Sequence, residues 1–386
     1  MNLAIVTETF PPDVNGVAMT YGVITRELGR RGHSVTVYRP RLAGGTMPTD
    51  RREITEVLLP GLPIPGYPQL RFGLPAERRL RARWKCEPPD LVHVATEGPL
   101  GSSAVAAARG LGIPVTSGFH TNFHAYARHY GCPLLRRPML QWLRWVHNRT
   151  RRTFVPTTAL CDELRALGFR DVTLLSRGVD TSGFDPARRS AELRAQWGAT
   201  PDTPVVLHVG RMAPEKNYEL LFRAYAAMKA ENPALCFVLA GEGPLRAKLQ
   251  RAHPDCRFVG FFSREEIGRY YASADIYIHA SHTETFGNVL TEAMASGLAV
   301  AGFDYAAARQ FVVNGRNGLV VPLGDEAALI QAAVRLATNR ALRAQVRRAT
   351  RAAVEPQSWA SVIGRFESDL TALLRERPLP TQTLAA

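Results

Sequence analysis

The chain has 386 residues, a net charge of +14 and 46% hydrophobic content, a globular composition long enough for two domains. No apolar run is long enough to span a membrane, and the five scattered cysteines (Cys86, Cys132, Cys161, Cys236 and Cys256) form no Cys-x-x-Cys, which argues against a disulfide framework or a zinc site. The charge does not imply a nucleic-acid partner, because no basic region interleaves with stacking aromatics and no helix-turn-helix pattern occurs.

The first residues, Met1-Asn2-Leu3-Ala4-Ile5-Val6, read as a strand without a basic region or cleavage site, so a cytoplasmic protein without a signal peptide is expected. A loop through Pro11, Pro12 and Asp13 leads to an amphipathic helix over 17–31, stopped at Gly32. Strands follow at 34–38, 90–94, 114–118 and 154–156, with a helix over 101–111 between two of them. The grammar restarts at 205–210 and continues through helix 218–232, strand 236–240, helix 245–252, strand 257–259, helix 264–272 and strand 275–280. Alternating strands and helices imply an α/β protein of two doubly wound Rossmann-like domains. The expected boundaries are an N-terminal domain at 1–180, a linker at 181–204, a C-terminal domain at 205–355 and a terminal helix within 356–376. The charge is uneven: residues 1–180 hold 24 Lys and Arg against 14 Asp and Glu, a surplus of 10, and the remainder carries the other 4.

The most informative stretch runs from His282 to Gly297. Glu284 falls in the loop before a helix and Glu292 about two turns inside it. Apolar strands on both sides make this a βαβ unit of a parallel sheet, which binds ligands at the carboxyl ends of its strands. Free loop N–H groups and the helix dipole favour an anion, and two carboxylates can accept hydrogen bonds from sugar hydroxyls. A nucleotide-sugar needs that combination. Upstream, Gly210-Arg211 follows a strand and leads to Lys216, two cations placed to grip a diphosphate. Gly241-Glu242-Gly243-Pro244 permits close backbone approach to a ligand, and Val259-Gly260-Phe261 closes the next strand with exposed backbone that can pair with a nucleobase edge, though no side chain there selects the base.

Taken together, Arg211 with Lys216, the Gly-Glu-Gly-Pro loop, Val-Gly-Phe and Glu284-x7-Glu292 resemble the donor site of the family-4 retaining glycosyltransferases of the GT-B fold, in the family's order and over essentially the whole chain. The resemblance implies two domains facing across a cleft, with a terminal helix crossing back to the N-terminal one. It implies that Arg211 and Lys216 bind diphosphate and that Glu284 holds hydroxyls of the transferred sugar. Phe286, Gly287 and Asn288 would lie along sugar and phosphate, Glu292 would bind the ribose, Gly16 would lie beside phosphate, and His120 beside the reacting sugar. Glu242 and Phe261 belong to the same donor set. Where many members carry Gly-Gly, this chain has Asn15-Gly16. The segments around His120-Thr121-Asn122-Phe123 and Ser176-Arg177-Gly178-Val179-Asp180 resemble a subgroup of bacterial GDP-mannose-dependent α-mannosyltransferases and sulfoquinovosyl-diacylglycerol synthases. It implies a hexose transferred to a lipid-linked or glycolipid acceptor, from GDP-mannose or from a UDP-sugar.

Retention of configuration calls for a carboxylate under the sugar or for a departing diphosphate that itself takes the acceptor proton. No carboxylate can be assigned as that nucleophile: Asp13 lies near the acceptor loop and Glu97 follows the strand Val92-His93-Val94, and either can be structural. The leaving-group route is favoured, with Asp13 orienting the acceptor hydroxyl and the protein stabilising the leaving group. No cofactor and no metal are expected: His120, His124 and His129 lack a nearby cysteine or acidic ligand. Residues 128–152 hold seven arginines and no acid around Trp142 and Trp145, a basic amphipathic stretch suited to an anionic membrane surface. The alternative for its apolar positions, Met139, Trp142, Leu143 and Val146, is the domain core. A sugar-nucleotide epimerase of similar fold is the alternative class, and it needs neither acceptor loop nor basic face.

Overall fold

The computed structural model describes residues 1–13, 15–41, 54–64, 67–120 and 136–376. The chain divides into two compact units, Met1–Arg177 with Ala360–Ala386, and Gly178–Trp359.

Unit 1 is built on a seven-stranded sheet. Its strands are β1 (Asn2–Val6), β2 (Ser34–Pro40), β3 (Ile54–Leu59), β6 (Leu91–Val94), β7 (Val115–Gly118), β8 (Thr153–Val155) and β9 (Val172–Leu174), in the order 3-2-1-6-7-8-9. Every pairing is parallel, with Leu3 opposite both Val35 and Leu91. The strands are apolar on both faces because helices cover both. A hairpin of β4 (Gly61–Ile64) and β5 (Tyr67–Gly73) stands apart from the sheet. Helix α1 (Gly16–Arg30) starts at Asn15, whose side chain accepts from Val17 and Ala18 N–H. Helices α2 (Glu77–Cys86) and α3 (Pro99–Gly110) pack Leu80, Trp84, Leu100 and Ala104 into one core cluster.

Unit 2 has a six-stranded parallel sheet of β10 (Val205–Val209), β11 (Cys236–Ala240), β12 (Arg257–Gly260), β13 (Ile276–His279), β14 (Ala299–Phe303) and β15 (Leu319–Val321), ordered 12-11-10-13-14-15. Core clusters lie on both of its faces. Residues 181–204, expected as a linker, are folded into this unit. They carry a short helix, Ala191–Gln196, and they bury Phe184 and Trp197. Their Pro and Gly content suggests a connection, but the apolar side chains between those residues pack into the core of the unit.

The last described helix, Trp359–Arg375, lies almost wholly in unit 1 although it follows unit 2 in sequence. It buries Val362, Ile363, Phe366, Leu370 and Leu373. Glu367 accepts from Arg31 at 2.9 Å and from His33 at 2.7 Å, and Asp369 from Arg152 at 2.9 Å. In both units the strand order reverses beside the first strand, between β1 and β6 and between β10 and β13. Ligands of open α/β sheets bind at such points, outside the carboxyl ends of the strands.

Candidate active site

In unit 2 the loops that leave β10 and β13 meet at the switch point. Asn217, left-handed at φ 52°, turns the first loop into the helix Tyr218–Glu231 and caps it by accepting from Leu220 N–H. Ser281 Oγ donates to Glu215 O at 3.3 Å and Asn217 Nδ2 to Ala280 O at 3.4 Å, so the two loops are tied together. The tie brings Lys216 Nζ to 2.6 Å from Glu284 Oε1. Burial pushes the Glu284 carboxyl up, but the charge and hydrogen bond of Lys216, with His279 and Ser281 behind it, hold it below the ordinary range. Glu284 is therefore an anion and an acceptor.

The helix Asn288–Ala295 begins at Gly287, left-handed at φ 95°. No side chain caps this helix and no acidic residue occupies its first turn. The helix starts on the loop that leaves the carboxyl end of β13, and a helix N-terminus without a side-chain cap there is suited to phosphate. Phe286 is 1% exposed and anchors the loop in the core, so it contributes backbone rather than ring to this edge. Glu292, inside the helix, accepts from Arg264 Nη2 at 3.3 Å and Tyr271 OH at 3.2 Å. Burial raises its carboxyl above the usual value in spite of both.

Gly241 and Gly243 have φ of 144° and 155°. A Cβ on the first would meet Gly210 O at 1.9 Å, and one on the second Met212 O at 2.4 Å. Their smallness thus lets two strand-end loops of the protein touch each other. Glu242 pairs with Arg246, Arg211 is exposed, and Phe261 is 67% exposed at the end of β12.

Two residues of this edge went unnoticed in the sequence. His208 is the last residue but one of β10 and His279 the last of β13, both buried. His279 Nε2 lies 3.9 Å from Glu284 Oε1. His208 Nε2, His279 Nδ1, Tyr277 OH and Asn288 Oδ1 are buried without a hydrogen-bond partner. Orphaned polar atoms on residues of these two strands and the helix that follows mark a place for bound water or ligand. The signal available in the sequence was a histidine at the end of each of two strands flanking the switch point.

In unit 1, His120 sits just past β7, its Nε2 3.0 Å from Tyr21 OH. Burial holds its imidazole well below the ordinary value, with Arg177, His93 and His147 adding to the effect. Asp13 is engaged inside its own loop, accepting from Thr9 Oγ1 at 2.9 Å and Phe10 N–H at 3.3 Å. Gly16 opens α1, and the Asn15 that precedes it is extended at φ −150°. That conformation needs no glycine, so Asn in place of a Gly-Gly pair adds a helix cap at no backbone cost. Glu97, at the end of β6, is 9% exposed, and burial raises its carboxyl to about 7. Beside it Glu8 accepts from the N–H groups of Gly73 and Leu100 and is also raised by burial to about 7.

Among the described residues no three His, Cys, Asp or Glu side chains gather as metal ligands. His124 and His129 lie outside the described residues, as does the first part of the basic stretch 128–152. In its second part the helix Arg136–His147 buries Leu143 and Val146 but leaves Trp142 40% and Trp145 53% exposed. Arg149 lies over the Trp145 ring at 3.8 Å. No described helix is long and apolar enough to cross a membrane.

Comparison with known proteins agrees with this architecture. Residues 14–182 match the family described as Glycosyltransferase Family 4, and residues 203–339 match Glycosyl transferases group 1. A GDP-mannose-dependent alpha-mannosyltransferase of Mycobacterium tuberculosis is 35% identical over 95% of this chain and 97% of its own. The sulfoquinovosyl transferase SQD2 of Arabidopsis thaliana is 28% identical over 80% of this chain and 61% of its own. Among solved structures, Anabaena HepE in complex with UDP superposes with a TM-score of 0.78 at 19% identity, over 96% of this chain and 100% of that one.

Proposed function

The chain belongs to the family-4, group 1 glycosyltransferases, and from that premise we propose that it transfers mannose from GDP-mannose, with retention, to a lipid-linked or glycolipid acceptor. The enzyme is a hexosyltransferase of GT-B type; donor, acceptor and residue roles are the proposal. The observation that carries it is the Lys216–Glu284 pair at the switch point of unit 2, beside a helix N-terminus without a cap.

In this reading Arg211, Lys216 and the first N–H groups of the helix at Asn288 hold the diphosphate. Lys216 then serves twice, binding phosphate and keeping Glu284 ionised. Glu284 accepts from hydroxyls of the mannose, and Glu292 from the ribose. Glu242 lies at the rim of the same donor set, and Phe261 offers an exposed ring to the base. The diphosphate leaves with its charge stabilised by cations and N–H dipoles, and its oxygen takes the proton of the acceptor hydroxyl. His120 touches the transferred sugar. The internal bonds of Asp13 favour a loop-shaping role through which it orients the acceptor side. Trp142 and Trp145, exposed among arginines, rest on an anionic membrane that supplies the acceptor.

The test is product mass after incubation with bacterial lipid extract and either GDP-mannose or UDP-glucose. A lipid that gains one hexose only from GDP-mannose supports the reading. A product only from UDP-glucose moves the enzyme to the UDP-sugar branch, the alternative that the likeness to a sulfoquinovosyl transferase keeps in view. Loss of donor without a glycosylated product would point to hydrolysis or epimerisation instead.

A further inference from the structure

Unit 1 holds a group of cations that the proposed roles leave unused. A cavity of about 270 Å³ opens at the carboxyl ends of β2 and β3 and is lined by Arg41, Leu58, Pro60, Gly61, Arg71 and Arg79. Three of these six residues are arginines and none is acidic. The walls are tied to the sheet: Arg41 N–H donates to Leu59 O at 2.9 Å, and Leu74 N–H to Pro60 O at 2.9 Å. Gly61 lets the hairpin lie against β2, since a Cβ there would meet Phe72 O and Pro40 Cβ, each at 2.8 Å.

Arg71 reaches along the hairpin and donates through Nη2 to Gly61 O at 2.6 Å, yet its Nε–H is buried without an acceptor. Arg39, near the end of β2, shows the contrast: its Nε donates to Glu56 at 2.7 Å, with both side chains almost fully buried. On α2, Arg81 pairs with Glu77 at 3.5 Å and Arg83 with Glu87 at 3.1 Å. Among the described residues no carboxylate pairs with Arg41, Arg71 or Arg79. An unmet buried N–H is costly, and three guanidinium groups around one cavity repel each other. An oxyanion relieves both, and the planar fork of arginine fits phosphate or carboxylate.

We infer that Arg41, Arg71 and Arg79 form a binding site for an oxyanion, a phosphate or carboxylate group, and that this group is the charged head of the acceptor. The strand order 3-2-1 puts β2 one strand spacing, about 5 Å, from β1, and β3 two spacings, about 10 Å. The loop after β1 carries Asp13, on the acceptor side of the proposed reaction. An acceptor that presents its hydroxyl there reaches the cavity across one sugar or glycerol unit. The site selects against an uncharged head, which leaves the buried Nε–H unmet. The acceptor half of the inference rests on the proposed function; the oxyanion half rests on the cavity alone.

Bacterial lipid extract is divided by anion exchange into acidic and uncharged fractions, and each is offered to the full-length protein with GDP-mannose or UDP-glucose. Product is expected from the acidic fraction. Arg41→Gln and Arg79→Gln alter exposed side chains and should keep the native melting curve. They and Arg71→Gln should each raise the acceptor KM about tenfold while the donor KM changes little. Arg71→Lys, which keeps the charge but loses the fork, should fall between. In a second arm, inorganic phosphate is added at constant ionic strength with GDP present to fill the donor site. It should raise the melting temperature of the native protein by more than that of the three Gln variants. A raised acceptor KM assigns the oxyanion to the lipid head. Product from the uncharged fraction, or a native acceptor KM beside a lost phosphate response, overturns the acceptor half and leaves a site for a free anion. A native acceptor KM and an equal phosphate response in all three variants overturn the inference outright. If neither fraction gives product with either donor, the transfer reading itself has failed, and the phosphate arm still judges the cavity.

Discussion

Strand β13 is flanked by two carboxylates, buried Asp275 before it and partly buried Glu284 in the loop after it, and the two are held differently. Asp275, just before the strand, accepts from Arg347 at 2.8 Å, Arg189 at 2.9 Å, Arg194 at 3.0 Å and Val205 N–H at 3.0 Å. The same arginines reach the carbonyls of Ser273, Ala274 and Gly297, so the cluster ties helix ends to the sheet. Glu284, just after the strand, has one ion pair at hydrogen-bonding distance, to Lys216. A carboxylate saturated by fixed donors is a structural joint. One that is partly buried, ionised and has fewer fixed donors keeps lone pairs for a ligand.

Removing each carboxylate should give opposite phenotypes. Glu284→Ala should abolish transfer, a loss of at least about a thousandfold in kcat/KM for a group stabilising the reacting sugar, while the melting curve stays close to native. Native-like turnover would sink the donor-site assignment. Asp275→Ala leaves three guanidinium groups facing each other and should cost about 3–5 kcal/mol in urea unfolding, with the surviving fold still active; an unchanged midpoint would break the comparison.

A subtler test alters the cation. Burial alone would raise Glu284, and Lys216 outweighs it. In Lys216→Met the carboxyl should therefore protonate at higher pH, moving the acidic limb of kcat upward in a pH–rate profile. An acidic limb that stays in place would mean that Glu284 does not depend on Lys216 for its charge.

The smallest effect concerns the first sheet's edge, where burial raises Glu8 and Glu97 from 4.5 to about 7. Their neutral forms are favoured by the fold, so this contribution is complete below about pH 4.5 and is lost as pH rises through about 7. The melting temperature of Glu97→Gln relative to native should accordingly improve between pH 5 and 8; a constant difference would refute the shift.

Most of the parallel strands were legible because they are short apolar runs bounded by Gly, Pro and Asp, and the strand 236–240 has those limits in the structure, but the sheet-edge strands Ile54–Leu59, Val172–Leu174 and Leu319–Val321 were missed. The hairpin at 61–73 was not, because Pro63 and Pro68 interrupt its pattern. Glu284, Lys216 and Glu292 could be singled out because each lies at a fixed offset from a strand end. Tyr21 and His93 could not, since they meet His120 across 99 and 27 residues of sequence by sheet order alone. His279 was hidden differently: within Ile276–His279 it reads as one more strand residue.

The helix Trp359–Arg375 supplies Phe366 to the wall of the His93 pocket, yet it is synthesised after all of unit 2. A ribosome thus releases the second sheet with its whole sequence in hand while the first still exposes the seat for Val362, Ile363 and Phe366. During translation the earlier unit therefore cannot complete its core until its last seventeen-residue helix has followed the later unit out.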